Sequence, residues 1–170
     1  HTRSDAPEEI ARAYVDAGYS AAVCPRVSLD QPERIRAVQA AFARRDVTLA
    51  ETGAWNNMLD PDPVRRAANV EANVRQLALA DDVGVLCCVN IAGSFAPDHW
   101  DGPHPRNLSE EAFERTVQNV RHILDAVKPK AFYPVPSRPE NVEAACREYE
   151  SLLRAHPADM VALGWGENGH

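Results

Sequence analysis

Two polar residues, a carboxylate and an amide, stand where apolar segments of this sequence end. Glu51 closes the apolar segment 47–51, and Asn90 closes the segment 85–90. A carboxylate at the end of a strand can serve as a general base or bind a sugar hydroxyl. Glu51 is therefore a candidate catalytic residue and Asn90 a candidate substrate-binding residue. A solvated carboxylate with no chemical role is the competing interpretation of Glu51.

The segment 98–104 combines two carboxylates with two imidazoles. These are metal-ligating groups, yet ligands within one flexible loop rarely converge on a single ion. His104 is a candidate catalytic residue, with an exposed loop histidine as the alternative, and the sequence specifies no metal-ligand set. Two tryptophans, Trp100 in this segment and Trp55 beside Asn56, can stack on the apolar face of a sugar or pack in a core. We treat Trp55, Asn56 and Trp100 as candidate substrate-binding residues.

The chain closes on a glycine-rich segment, Gly-Glu-Asn-Gly-His at 166–170. Small residues after a strand allow backbone N–H groups to approach an anion or a sugar ring closely. In an extended stretch Asn168 and His170 share a side, because they are two residues apart. His170 is a candidate catalytic residue and Asn168 a candidate substrate-binding residue, although chain ends tend to fray.

Helical and strand-like patterns alternate along the whole chain, and this alternation must position these groups. Short apolar segments predict five strands, at 19–24, 47–51, 85–90, 131–135 and 159–163. Apolar stripes at helical spacing predict helices before and between them, with caps at Ser4–Asp5, Asp30 and Ser109 and a stop at Gly84. Apolar strands alternating with helices indicate an α/β fold with a parallel sheet covered by helices. Ligands then bind at the carboxyl ends of the strands.

Length and composition exclude several classes of protein. The chain has 170 residues, 45% of them apolar, and a formal net charge of −7. An acidic balance argues against a nucleic-acid partner, and no apolar segment approaches the ~20 residues that span a membrane. A complete (β/α)₈ barrel needs about 250 residues, so this chain holds at most part of one. The four cysteines form no C-x-x-C pair, which favours reduced core thiols in the cytoplasm.

Residues 1 to about 130 resemble the xylose isomerase-like TIM-barrel family of sugar phosphate isomerases and epimerases. The resemblance is carried by the segments 13–22, 51–57, 77–81, 87–94 and 100–105. It implies an incomplete (β/α) TIM-type barrel that isomerises or epimerises a sugar or sugar phosphate. A divalent metal, Mn²⁺, Mg²⁺ or Zn²⁺, would assist proton transfer through an enediolate, with Glu51, Asn90 and His104 near the substrate. Most ligands for this metal are absent from the chain.

Residues 132–170 are instead similar to glucosamine-6-phosphate deaminase. Here the segments 143–153 and 163–170 carry the resemblance. It implies that Asn168 stands at the position of the catalytic Asp/Asn and that His170 is the base that opens the sugar ring. After Phe132 and Tyr133 comes Pro-Val-Pro, so the metal-binding glutamate of the barrel family is missing.

We therefore expect a chimeric or fused chain with a partial barrel at 1–130 and a βαβ-type segment at 131–170. Both candidate active sites are incomplete, and we expect further chain beyond each end. The main expectation is a metal-assisted sugar isomerase or epimerase. The alternatives are a glucosamine-6-phosphate deaminase-like enzyme and a non-catalytic fragment or scaffold. The expected partner is a small sugar or sugar phosphate, and open sheet edges lead us to expect self-association.

Overall fold

A computed structural model describes residues 4–97, 99–128 and 141–155 of the chain. The chain divides into two compact units near residue 130, and the sheet belongs to the first. The elements of the first unit are α1 Pro7–Asp16, β1 Ala21–Val23, α2 Pro32–Ala43, β2 Thr48–Ala54, α3 Pro63–Val83, β3 Cys87–Asn90, a 3₁₀ turn at Pro105–Leu108 and α4 Glu110–Val127. The second unit contains α5, Val142–Ala155.

The three strands form one parallel sheet in the order β1-β2-β3. Between β1 and β2 the register shifts, because Ala22 pairs with Leu49 while Val23 pairs with Glu51, which leaves Ala50 as an extra residue. This arrangement confirms the predicted α/β fold with parallel strands. The described sheet is not a closed barrel, and the predicted strands at 131–135 and 159–163 lie outside the described residues.

An apolar core holds the first three helices against the sheet. Its largest buried side chain is Phe42, which packs against the half-buried ring of Tyr14 at a centroid distance of 6.0 Å. The buried members of this core are Ala11, Ala22, Ile35, Val38, Ala41, Phe42, Val47, Leu49, Leu79 and Val83. Each buried aliphatic or aromatic side chain contributes about 1.5–3 kcal/mol, so this cluster is the main source of stability of the first unit.

The end of α3 and the start of α4 lie where the sequence predicts, and Asp62 is a further cap at the start of α3. The Asp62 carboxylate accepts hydrogen bonds from Val64 N (2.8 Å) and Arg65 N (3.2 Å) at the start of α3. Gly84 ends α3 in the left-handed conformation, with φ of +77°. At the start of α4, Ser109 Oγ accepts from Ala112 N at 3.2 Å. None of the helices within the described ranges is long and apolar enough to cross a lipid bilayer.

The predicted caps of the first two helices are wrong. Ala6 and Gln31 occupy the cap positions, and neither donates or accepts a side-chain cap hydrogen bond. A proline stands at the first helical position of each helix. The N–H that proline lacks would have no acceptor within the helix at this position, and the fixed φ of proline is already helical. The Asp30 carboxylate accepts a hydrogen bond from the neighbouring Ser28 hydroxyl instead of capping α2.

Candidate functional site

Glu51 lies within β2 and not at its end, contrary to the prediction. The strand continues to Ala54, because the small residues Thr52 and Ala54 are buried and keep the ladder to β3 intact. Glu51 stands opposite Cys87 in this ladder and is partly buried. Glu51 therefore lies three residues before the carboxyl end of the strand, the edge at which ligands bind in parallel sheets.

The cysteines of β3 are held in their protonated form. Burial raises the pKa of the Cys88 thiol to about 11, with smaller contributions from the negative charges of Cys87 and Glu51. Partial burial also raises the pKa of Cys87, a mostly exposed residue, and the Glu51 carboxylate adds to this shift. The prediction that all four cysteines are core residues is wrong, since Cys87 and Cys146 are exposed.

Three of the predicted substrate-binding residues do meet at the carboxyl edge of the sheet. Trp55 and Asn56 follow β2 directly, and Asn90 is the last residue of β3, paired with Ala54. Trp55 is 55% exposed, and its indole lies over Gly53: a Cβ built on that glycine would be 3.2 Å from indole Cε2 and Cζ2. A flat apolar surface is thus held at the strand ends.

A buried amide, Asn57, connects the loops that follow β2 and β3. Its Nδ2 donates to the Ser94 carbonyl at 2.8 Å, and its Oδ1 accepts from the backbone N–H groups of Ser94 (2.9 Å) and Leu59 (3.0 Å). Gly93 permits this approach, since a Cβ on it would lie 2.0 Å from Asn57 Oδ1. The first loop is in this way fixed to the second.

A second amide, Asn107, holds the loop that follows β3 in place. Its Oδ1 accepts from Phe95 N at 2.9 Å, and its Nδ2 donates to Ser94 Oγ at 3.0 Å. Ser94 Oγ in turn donates to the Gly102 carbonyl at 2.6 Å. Sequence reasoning missed the roles of Asn57 and Asn107, because an asparagine in a polar loop carries no pattern that distinguishes a buried cross-link from an exposed turn residue.

An ion pair anchors the start of α3 to the same loop. The buried Asp60 carboxylate accepts from Arg65 Nη2 at 3.1 Å, and Arg66 Nη1 donates to the Asp60 carbonyl at 2.7 Å. The hydrogen bond from Arg65 holds the pKa of Asp60 below its usual value. The Arg65 side chain is nevertheless 59% exposed, as a pair of arginines at the start of a helix predicts, so it combines a solvated position with an ion pair.

His104 and Trp100 are placed on the loop before the 3₁₀ turn. His104 Nδ1 accepts from Arg106 N at 3.3 Å, which caps that turn, and its ring centroid lies 6.5 Å from that of Phe95. Trp100 is 45% exposed. In the part of the chain that the structure describes, no hydrogen bond or ion pair connects His104 with Glu51. Asn168 and His170 lie outside the described residues.

The expected metal finds no ligand set in the described part of the chain. No group of three or more His, Cys, Asp or Glu side chains converges there. Glu51 lies in the middle of a strand, and His104 caps a turn. These residues do not fit a divalent ion.

A cavity of about 410 Å³ opens beyond the carboxyl end of β2. We call it the Trp55 cavity. Its walls come from the loop between β1 and α2, the end of β2 and one side of α3. The lining residues are Val27, Ser28, Leu29, Gly53, Ala54, Trp55, Asn56, Ala72, Arg75, Gln76 and Leu79. Two of the predicted substrate-binding residues, Trp55 and Asn56, therefore border a common space.

Comparison with known proteins finds one recurrent similarity. The chain is 38% identical over 50 residues to a glucosamine-6-phosphate deaminase of Enterococcus faecalis, which covers 29% of this chain and 22% of that protein. It is 33% identical over 86 residues to the enzyme of that name from Lactobacillus helveticus, covering 50% of this chain and 34% of the relative. A Bacillus cereus protein of the same name is 40% identical over 48 residues, or 28% of this chain and 18% of the relative.

The chain thus spans between about a fifth and a third of the length of these curated relatives. No model of a protein family matches it, and no solved structure matches it. The similarities support the predicted resemblance to glucosamine-6-phosphate deaminase in part, and none is to a xylose isomerase-like protein. The predicted main function, a metal-assisted isomerase of the TIM-barrel type, is therefore wrong.

Proposed function

We propose that the protein acts on an amino-sugar phosphate, converting it to a ketose phosphate with release of ammonia. The observation that carries this proposal is the repeated partial identity, 33–40%, to glucosamine-6-phosphate deaminases. The glycine-rich segment 163–170 resembles the catalytic loop of that family. The substrate class is taken from these relatives, of which the chain covers only part.

The proposed chemistry begins with opening of the sugar ring. His170 would accept the proton of the anomeric hydroxyl as the bond between C1 and the ring oxygen breaks, and would return it to that oxygen. A neutral imidazole can act as both base and acid, because its pKa lies near 6.5. Gly166 and Gly169 would allow backbone N–H groups to approach the phosphosugar.

The remaining steps convert the open aldose and release the amine. A proton leaves C2 and one is delivered to C1, while a proton of the C2 amine passes to O1. The C1 aldehyde thereby becomes a hydroxymethyl group and the C2 amine an imine. Water adds to this imine, and ammonia leaves as the C2 carbonyl forms. One amino-sugar phosphate and one water thus give one ketose phosphate and one ammonia. We place Asn168 beside the reacting carbons, at the position of the family's catalytic Asp/Asn.

The test is ammonia release from glucosamine 6-phosphate by the purified protein, compared with the variant His170→Ala. We expect release by the native protein and a loss of about 10²- to 10⁴-fold in the variant, the range for removal of a general acid–base group. The matched control is His122→Ala, since His122 is an exposed histidine of α4 that pairs with Glu71 at 3.1 Å. Absence of ammonia release, or equal release by the His170 variant, would overturn the proposal and favour the non-catalytic alternative.

A further inference from the structure

The Trp55 cavity has the size and position of a small-molecule site. Its volume of about 410 Å³ lies within the roughly 300–1,000 Å³ of typical ligand pockets. It borders the carboxyl end of β2, the edge at which parallel α/β sheets bind ligands. The neighbouring loop is fixed by the buried Asn57, so the wall that Trp55 and Asn56 provide is held in place before a ligand arrives.

A cation with no protein partner among the described residues borders this cavity. Arg75 of α3 lines it and makes no ion pair or hydrogen bond within the described ranges. Glu71, which stands one helical turn earlier and would normally pair with it, is bound by His122 at 3.1 Å. The protein as a whole carries a net charge of −7. A free guanidinium at a cavity of an acidic protein is suited to a phosphate or a carboxylate, which it can bind bidentately.

The remaining walls supply a flat apolar surface and an amide. The Trp55 indole rests on Gly53 and is 55% exposed, and Leu29 and the buried Leu79 extend the apolar wall. The Asn56 side chain also lines the cavity and has no hydrogen-bond partner among residues 4–97 and 99–128. Gln76 differs from it, because its Nε2 donates to Thr52 Oγ1 at 2.6 Å.

We propose that the Trp55 cavity binds a phosphorylated monosaccharide. Arg75 binds the phosphate, the Trp55 indole lies against the C–H face of the sugar ring, and the Asn56 amide pairs with ring hydroxyls. A phosphorylated monosaccharide combines an anionic group, an apolar ring face and several hydroxyls in a molecule that fits this volume. The proposal is independent of the deamination chemistry, since it uses only residues of the first unit and none of the segment 163–170.

The test is titration of the full-length ¹⁵N-labelled protein with glucose 6-phosphate, glucose and inorganic phosphate, followed by NMR. The Trp55 indole signal is assigned with the variant Trp55→Phe. We expect glucose 6-phosphate to shift the Trp55 indole and the Asn56 amide, and to bind at least about tenfold more tightly than glucose or inorganic phosphate alone. Arg75→Met should weaken its binding by about tenfold or more.

Matched variants show whether the ligand binds at this cavity or elsewhere on the protein. Arg121→Met removes an exposed arginine of α4 and should leave the affinity unchanged. The signals of Trp55 and Asn56 report on the cavity itself, whereas ammonia release reports on the proposed function, so failure of one is distinguishable from failure of the other. Absence of shifts at Trp55, equal weakening by Arg75→Met and Arg121→Met, or equal affinity for inorganic phosphate would each overturn the proposal.

Discussion

At the scale of single residues, Asn57 contributes more to the candidate site than its loop position suggests. Its one buried side chain makes three hydrogen bonds to backbone groups of two loops. Because each unpaired buried partner costs about 1–3 kcal/mol, Asn57→Ala should lower the free energy of unfolding by about 2–4 kcal/mol. Urea denaturation measures this free energy, and the control Asn56→Ala should change it by little. Equal destabilisation by the two variants would contradict the assigned role.

Gly93 offers a second prediction at this scale. Gly93 and Gly18 both adopt positive φ, +93° and +83°, but only a Cβ at Gly93 meets a neighbour, at 2.0 Å from Asn57 Oδ1. Gly18→Ala should therefore lower the free energy of unfolding only by the cost of placing alanine in the left-handed conformation, about 1–2 kcal/mol. Gly93→Ala should be at least about 2 kcal/mol more destabilising than this control, because the cross-link must also break. Similar unfolding midpoints for the two variants would show that the loops do not meet as described.

The pairing of Glu51 with Cys87 is testable through thiol reactivity. The Glu51 charge contributes to the raised pKa of both Cys87 and Cys88. Glu51→Gln should lower both pKa values, although burial, the larger cause, remains. Alkylation of Cys87 followed by mass spectrometry against pH should then reach its half-maximal rate at a lower pH, whereas Glu114→Gln on α4 should not change the profile. An unchanged profile in the Glu51 variant would place the carboxylate elsewhere.

At the scale of secondary-structure elements, the start of α3 has a defined pH dependence. The hydrogen bond from Arg65 lowers the pKa of Asp60 in the folded state, whereas the unfolded value is near 3.9. The stabilisation is therefore fully present above about pH 4 and is lost as the pH falls through the folded pKa. Asp60→Asn should be less stable than the native protein at pH 7, with the difference shrinking towards pH 3. Asp125→Asn on α4 is the control, and a difference that stays constant with pH would contradict the ion pair.

Local signals in the sequence predict some element boundaries and miss others. Ser109 and Gly84 each act at a single helix end, and the chemistry of each residue predicts that end. Helical periodicity predicts the apolar face of α4 on Phe113 and its helical neighbours, yet Phe113 is 52% exposed and Ala112 and Ile123 are buried. The buried face is thus rotated by about one residue, and Asn119 on this face donates to the Met58 carbonyl at 3.0 Å, a tertiary contact that periodicity does not encode.

At the scale of the whole molecule, the alternation of elements was predictable and the arrangement of the site was not. Parallel pairing of β1, β2 and β3 follows from apolar strands separated by helices. The extension of β2 beyond Glu51 follows from ladder pairing with β3, which a single segment does not reveal. The predicted isomerase function rested on the resemblance of residues 1 to about 130 to a barrel family, and the similarities found are to glucosamine-6-phosphate deaminases instead.

The predicted self-association also belongs to this scale and stays a prediction. Within the described sheet β1 and β3 each pair on one side only, and unpaired strand edges favour association with another chain.

The measurement that tests the proposed function most directly is NMR of ¹³C-labelled glucosamine 6-phosphate incubated with the purified protein. Ring opening, proton transfer from C2 to C1 and hydrolysis of the imine predict a ketose phosphate whose C2 resonates as a hemiketal or ketone, with ammonium formed in equal amount. The partial identity to glucosamine-6-phosphate deaminases supports this outcome. A spectrum that retains only the two anomers of the substrate after prolonged incubation would contradict it.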